Sequence, residues 1–420
     1  MRTIILAAHD DGSGAHVAMC HLTRGLLEVA DEKEMKISIL YLHGHSYGKT
    51  WAENLWLKST KGKGLILNGP LNKRESNSCR HAWIVSKNGM ELPKTLDGRI
   101  DLSKMSKMIS EYNPATGFGP IIEAVGDPVF ANVAMTIEMG VPQLTRLANG
   151  KKIPAIAISD VFWSESLSDW FQSTGHWTRE LRQTVETLAA FEKNAKEIWL
   201  YPIFSSRKCY EYFARENVPV QSLPGFLGKR PTPDLIRVGK ELLNQTSDKL
   251  VVLNGGLAPV WQNIYRSLGE AVKALGDDIN FALLYPSDDQ LVLIDQGKER
   301  YLRNPPSDEH PTLLPFYANA DLGIVRGSVS ASDFIACATP FLLVQELEHW
   351  PSHVQTKQAN EAQLCHITSF DQLQDTGRAI RLIKECLGHH ENFRMRARMN
   401  TFPFGVENQM ADYLFSAHLS

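Results

Sequence analysis

Between Leu322 and Val344 the chain carries a pattern that few folds accommodate. A short apolar run, Leu322-Gly-Ile-Val325, leads into Arg326-Gly327-Ser328, and a second, Phe341-Leu-Leu-Val344, is announced by Pro340. Apolar runs this short fit strands buried on both faces, the setting of a parallel sheet, and parallel neighbours need a crossover helix between them. Ser330, Ser332 and Asp333 then fall in the opening turns of that helix. The N–H groups at a helix start have no partner within the helix and collect an anion, while a nearby carboxylate suits ribose hydroxyls. The segment therefore reads as a site for a nucleotide diphosphate.

The same alternation runs through the chain. Strands are expected over Thr3–Ala8 and Ile37–Leu42, with a helix over Ala15–Val29 between them. Residues 51–100 are rich in Lys, Gly and Asn and read as an excursion from the sheet in loops or hairpins. A helix over Ala134–Leu147, a strand over Ile153–Ile158, a helix over Arg179–Lys196 and a last strand at Trp199-Leu-Tyr201 complete a first half. Leu223–Pro233, punctuated by proline and glycine, reads as a linker. The pattern then restarts, with strands at Leu250–Leu253, Phe281–Tyr285, Leu291–Ile294, Leu322–Val325 and Phe341–Val344, a helix at Pro259–Leu275 and a closing amphipathic helix at Val406–Ala417. The expected fold class is α/β: two Rossmann-like doubly wound domains, 1–225 and 234–420, joined by 226–233 and facing across a cleft.

Bulk properties narrow the partners. Net charge is −3 from 44 basic and 47 acidic residues, which gives no electrostatic footprint for nucleic acid. The six cysteines form no Cys-x-x-Cys pair and are compatible with a reduced compartment. The apolar start is too short for a signal peptide and passes directly into His9-Asp10-Asp11, and no apolar run is long enough to span a membrane, so a cytoplasmic location is expected.

Three constellations could carry chemistry. Asp10-Asp-Gly-Ser-Gly14-Ala-His16 follows the first strand, where glycines allow a substrate close to the backbone and His16 could serve as a general base. A glycine-rich tight turn with a surface histidine is the plain alternative. Asn254-Gly255-Gly256 occupies the equivalent turn of the second half and could meet a diphosphate through its backbone. After Val344 come Glu346, Gln358 and Asn360, whose donors and acceptors suit sugar hydroxyls. A metal set from Glu346, Glu348, His349 and His353 is disfavoured because Pro351 interrupts the helical spacing of the two histidines.

Fainter signals stand beside these. Asp160, at a strand end, is either a second base or a helix cap, and the aromatics Trp163, Trp170 and Trp177 line either an acceptor groove or the core. Lys58 to Arg74 offers a peripheral contact with anionic lipid or with an acceptor phosphate, against a solvated loop. Gly44-His-Ser-Tyr-Gly48-Lys49-Thr50 falls one residue short of a P-loop.

Taken together, Tyr317-Ala-x-Ala-Asp-Leu-x-Ile-x-Arg326, Gly327-Ser-Val-Ser-x-Ser-Asp333, Thr339-Pro-Phe-Leu-Leu-Val344 and Gln358-x-Asn360 resemble the donor domain of GT-B glycosyltransferases, in particular the lipid II-forming N-acetylglucosaminyltransferases. The Gly12-Ser-Gly-Ala-His-Val17 loop is similar to a Gly-Gly-His-Val loop of that group. The resemblance does not extend over residues 51–122. It implies transfer of a sugar from a nucleotide-diphosphate donor, UDP foremost, to a small-molecule or lipid-linked acceptor, without an essential metal or a cofactor. It also implies that Asp333 holds the ribose. Gly14, Asn254, Gly255, Gly256, Arg326, Gly327, Ser328 and Ser330 would lie around the diphosphate, and Glu346, Gln358 and Asn360 at the donor sugar. His16 or Asp160 would act on the acceptor. Three departures stand out: Asp333 where the group has Glu, the close Gln358/Asn360 spacing, and an inserted Glu348-His-Trp-Pro-Ser-His353. A hydrolase or epimerase on the same scaffold, or a non-catalytic nucleotide-sugar-binding protein, would carry the same donor site.

Overall fold

The computed structural model describes residues 1–8, 13–43, 55–57, 59–60, 64–68, 79–83, 95, 101–111, 130–159, 168–200, 207–225, 227, 232–243, 249–254, 260–275, 279–283, 285–287, 290–295, 298–303, 313–326, 328–346, 365–389 and 405–419. The chain forms two compact units, one of Met1–Pro93, Leu102–Gly228 and Gly405–Ser420, the other of Lys94–Asp101 and Lys229–Phe404.

In the first unit the chain runs β1 (Arg2–Ala8), α1 (Ser13–Glu32), β2 (Ile37–His43), β3 (Gly64–Asn68), β4 (Cys79–Trp83), α2 (Leu102–Glu111), β5 (Val133–Met139), α3 (Pro142–Gly150), β6 (Ala155–Ser159), α4 (Ser168–Ser173), α5 (Arg179–Glu192), β7 (Glu197–Leu200), α6 (Arg207–Arg215) and β8 (Val220–Ser222). The strands pair in the order β3-β4-β2-β1-β5-β6-β7-β8, every neighbour parallel. Strand order reverses between β1 and β5, which places the unit's switch point at the carboxyl ends of those two strands. Ile5, Ala7, Leu40 and Leu42 pack there against Val141 and Leu144.

Three expectations need correcting in this unit. Ala134–Leu147 is not one helix: β5 occupies the centre of the sheet, and α3 starts afresh at Pro142. Gly140, at φ 74°, makes the reversal between them in a backbone region open to glycine. Within residues 51–100, β3 and β4 do not leave the sheet as a hairpin but extend it in parallel. Trp199 lies in β7, which β8 follows, so it is not in the last strand. Ser168–Ser173, around Trp170, is helical.

The second unit contains α7 (Pro233–Leu243), β9 (Lys249–Asn254), α8 (Val260–Leu275), β10 (Ile279–Leu283), β11 (Tyr285–Ser287), β12 (Gln290–Asp295), β13 (Lys298–Arg303), α9 (Leu314–Tyr317), β14 (Leu322–Val325), α10 (Ser328–Ala336), β15 (Phe341–Gln345), β16 (His366–Ser369), α11 (Phe370–Gln374) and α12 (Thr376–Gly388). Its parallel sheet has the order β10-β9-β14-β15-β16, with the switch point between β9 and β14. Ile264, Leu268 and Ala271 recur at helical spacing on α8 and meet Val251, Leu253, Ile324 and Leu342 of the sheet. Burial of each large aliphatic side chain there stabilises by roughly 1.5–3 kcal/mol. Leu291–Ile294 does not join this sheet. It lies in β12 of a separate antiparallel sheet, β11-β12-β13. Only two residues separate β12 from β13, too few for a parallel crossover.

The closing helix α13 (Glu407–His418) belongs to the first unit, although the sequence reading grouped it with the second half. It packs on α1 at Gly25, where a Cβ would lie 2.7 Å from the Glu407 backbone. A buried Arg24–Glu407 ion pair, an Asn408–Glu28 hydrogen bond at 3.2 Å and a His418–Glu197 contact at 3.1 Å fix it to α1 and β7. Among the described residues, no helix is long and apolar enough to cross a membrane.

Candidate functional site

The carboxyl ends of β9, β14 and β15 bring together most of the described residues expected at the donor. Asn254 ends β9, opposite Val325 of β14, and Arg326 follows that strand. α10 begins immediately beyond, with Ser328 as its first residue and Ser330 and Asp333 in its first two turns. Glu346 follows β15 and is buried. These residues thus flank the switch point of the sheet, where open α/β folds bind ligands.

Hydrogen bonds join some of these residues in two groups. Asn254 Nδ2 donates to the Tyr317 hydroxyl at 2.5 Å and to Ser330 Oγ at 3.2 Å. Tyr317, at the end of α9, is buried, and its ring packs on Phe334 of α10 at 4.3 Å. Burial pushes the phenol far above its ordinary pKa, and the charge of Asp333 pushes the same way, while hydrogen bonds from Asn254 and Ser330 oppose the shift. Asp333 is partly exposed by area yet sits in poorly hydrated surroundings, which raise its carboxyl from 3.8 to about 8. Among the described residues, no hydrogen bond or ion pair engages it. Arg326 donates to Glu346 Oε2 at 2.8 Å, and its Nε has no hydrogen-bond partner among the described residues.

The expected site is therefore assembled in part. Asn254, Arg326, Ser330, Asp333 and Glu346 converge, and Ser328 stands at the start of α10. Gly255, Gly256, Gly327, Gln358, Asn360 and Asp160 lie outside the described residues, as do Glu348, His349, His353, the Gly44–Thr50 loop and most of the basic stretch from Lys58 to Arg74. Among the described residues, no group of three or more His, Cys, Asp and Glu could hold a metal. Tyr317, although part of the Tyr-Ala-x-Ala-Asp motif, is a site residue that the sequence does not announce. The available signal was its polar hydroxyl in an otherwise apolar segment.

The first unit does not project His16 from the helix start, as a general base after a glycine-rich loop would be expected to project. Gly14 and His16 lie in the first turn of α1, directly after β1, but His16 is fully buried rather than projecting. Its Nδ1 is 2.8 Å from the Tyr41 hydroxyl, its Nε2 3.6 Å from Cys20 Sγ, and its ring stacks on Tyr41 at 5.5 Å. Burial pushes both the Tyr41 phenol and the Cys20 thiol far up, so both stay neutral. Nearly every residue from Ala15 to Leu27 is buried, which makes α1 a core helix. Trp170 and Phe171 are buried in edge-to-face contact at 4.6 Å, a packing role rather than a groove lining.

A second buried carboxylate lies near the switch point of this unit. Glu138, opposite Ala7 of β1, accepts the Val141 N–H at 2.6 Å and the Thr145 hydroxyl at 3.2 Å, and so caps the turn into α3. Burial outweighs these bonds and raises its carboxyl from 4.5 to about 7.

No protein-family profile matches the chain, and no curated protein matches it in sequence. Solved structures do match. UGT2 of Phytolacca americana, complexed with UDP-2fluoro-glucose and pterostilbene, aligns over 100% of this chain and 100% of its own, with a TM-score of 0.62 and 12% identity. The spinosyn rhamnosyltransferase SpnG, complexed with thymidine diphosphate, aligns over 100% of both chains at a TM-score of 0.60 and 11% identity. The calicheamicin glycosyltransferase CalG4 covers 98% of this chain and 95% of its own, at 0.55 and 14%. Identities this low establish architecture rather than activity. With its two parallel, doubly wound sheets in separate units, the chain has the GT-B fold, as the sequence led one to expect.

Proposed function

We propose that this protein is a glycosyltransferase that moves a sugar from a nucleotide-diphosphate donor to a small-molecule acceptor. The observation that carries the reading is the convergence of Asn254, Ser330 and Asp333 at the β9/β14 switch point, with the last two in the opening turns of a helix. An ionised Asp333 would accept the ribose hydroxyls, and the N–H groups opening α10 would receive the diphosphate. Their fixed dipoles would stabilise the charge that grows on the leaving diphosphate as the anomeric carbon is attacked, which is why the reaction as proposed needs no metal. Arg326 and Glu346, held against each other, would border the phosphate and the sugar. The matched structures support this reading: one holds UDP-2fluoro-glucose and pterostilbene, another thymidine diphosphate. UDP is the donor nucleotide we test first.

Proton removal from the acceptor is assigned to His16 or Asp160. His16 must leave Tyr41 to act, since that hydroxyl now meets its Nδ1. This engagement favours one second reading, a nucleotide-sugar-binding protein without transferase activity. A thermal-shift panel of nucleotides and nucleotide sugars tests the common part, because a ligand bound to the native state raises the unfolding temperature by mass action. Stabilisation by a nucleotide diphosphate is expected, and a flat panel with folded protein rejects both readings. Loss of turnover with retained nucleotide binding in His16→Ala or Asp160→Ala then identifies the enzyme and its base. Free sugar released without acceptor would identify a hydrolase.

A further inference from the structure

We propose that Glu346 restricts the donor site to an uncharged sugar: paired with Arg326, it offers acceptors to sugar hydroxyls and turns away the carboxylate of a uronic acid. The inference rests on the donor-site reading above and deepens it to the class of sugar.

Arg326 and Glu346 leave the sheet side by side. β14 and β15 are parallel neighbours, with Val325 opposite Leu343, and the two residues follow those strands. Arg326 also stands two residues before Ser328, which opens α10. It is thus a cation beside the place proposed for the diphosphate. A guanidinium does not shed its proton in a protein. The Arg326 side chain is 25% exposed, and its buried Nε has no hydrogen-bond partner among the described residues. Uncompensated, such a group would draw any anion a donor carries, a sugar carboxylate as well as a phosphate. Glu346 supplies the compensation. Its side chain is 7% exposed, and its Oε2 accepts from Arg326 Nη2 at 2.8 Å. A carboxylate has about four acceptor positions, so holding Arg326 does not stop Glu346 from taking a hydroxyl hydrogen as well. That bond would be charge-assisted and strong for its size. A carboxylate on the sugar would instead meet a like charge where little water screens it. The same side chain therefore attracts one class of sugar and repels the other, which is how a site separates ligands of equal shape.

The test compares two donors that differ in charge at one carbon. UDP, TDP, GDP and ADP are screened by calorimetry on the unaltered protein, and the glucose and glucuronic acid conjugates of the tightest are then titrated. The glucose conjugate is expected to bind about tenfold more tightly. Glu346→Gln keeps the shape of the side chain and removes its charge. It should weaken the glucose conjugate about fivefold and tighten the glucuronic acid conjugate by about the same factor, because Arg326 is then uncompensated. Opposite shifts for the two conjugates are not what a general loss of packing produces. Equal binding of the two by the unaltered protein, preference for the acid, or a preference that Glu346→Gln leaves in place overturns the inference while the donor site stands. So does a nucleotide that binds when its glucose conjugate does not. Binding of none of the four nucleotides overturns the donor-site reading and this inference with it. If Glu346→Gln fails to fold, the unaltered protein decides: a glucuronic acid conjugate bound as tightly as the glucose conjugate refutes the proposal.

Discussion

Replacing Glu138 with Gln should change the way stability depends on pH. Glu138 is 3% exposed, and burial raises its carboxyl from 4.5 to about 7 in the folded chain. Folding therefore favours the protonated form. The associated stability is complete below about pH 4.5, falls as pH rises, and is lost once pH passes about 7. At about 1.4 kcal/mol per pH unit the full loss is roughly 3 kcal/mol, most of it between pH 5 and pH 8. Glutamine does not titrate. It keeps one acceptor for Val141 or Thr145 and forfeits the other, a cost that is independent of pH. The stability of Glu138→Gln relative to the unaltered protein should then rise by about 2–3 kcal/mol from pH 5 to pH 8. Urea unfolding followed by tryptophan emission suits the first unit, because seven of the nine tryptophans precede Lys229. Parallel pH profiles for the two proteins would refute the argument and mean that the Glu138 site is hydrated or charged when folded.

Three further outcomes follow from the geometry. Gly25→Ala should lose about 1–3 kcal/mol on thermal unfolding, since the added methyl meets the Glu407 backbone at 2.7 Å and backbone cannot rotate aside. Gly269→Ala, in α8 with nothing within 4 Å, should instead gain about 0.5–1 kcal/mol in the same assay. Because ribose hydroxyls favour the charged form of Asp333, whose free carboxyl titrates at about 8, UDP affinity should rise with pH up to about that value and then level off. Titration calorimetry between pH 6 and pH 9 measures this, and a flat profile would detach Asp333 from the ligand.

What could be read from the sequence was whatever depended on neighbours along the chain. β14, α10 and β15 are marked by short apolar runs separated by small polar residues, and their crossover geometry follows from that alone. β5 escaped because its apolar residues ran on into those of α3, and an apolar stretch does not by itself distinguish strand from helix. Gly140 and Pro142 were the available punctuation. The host of α13 could not be read, because its partners Arg24 and Gly25 lie nearly four hundred residues earlier, at a separation of 383 for Arg24 and Glu407. The glycine-rich loop before His16 suggests a group facing substrate, yet the ring is fully buried. Met19, Cys20 and Thr23 lie on the same helical face and are buried with it, a pattern that pointed to the core. Tyr317 shows the remaining limit, since its contact with Asn254 is one that only the folded sheet creates.

The account stands or falls on where a nucleotide diphosphate binds. A crystal grown with UDP should show its ribose hydroxyls on the Asp333 carboxylate and its phosphates at the opening turn of α10, within reach of Ser330. UDP lodged elsewhere, with Asp333 bare, would contradict the account whatever activity the protein proved to have.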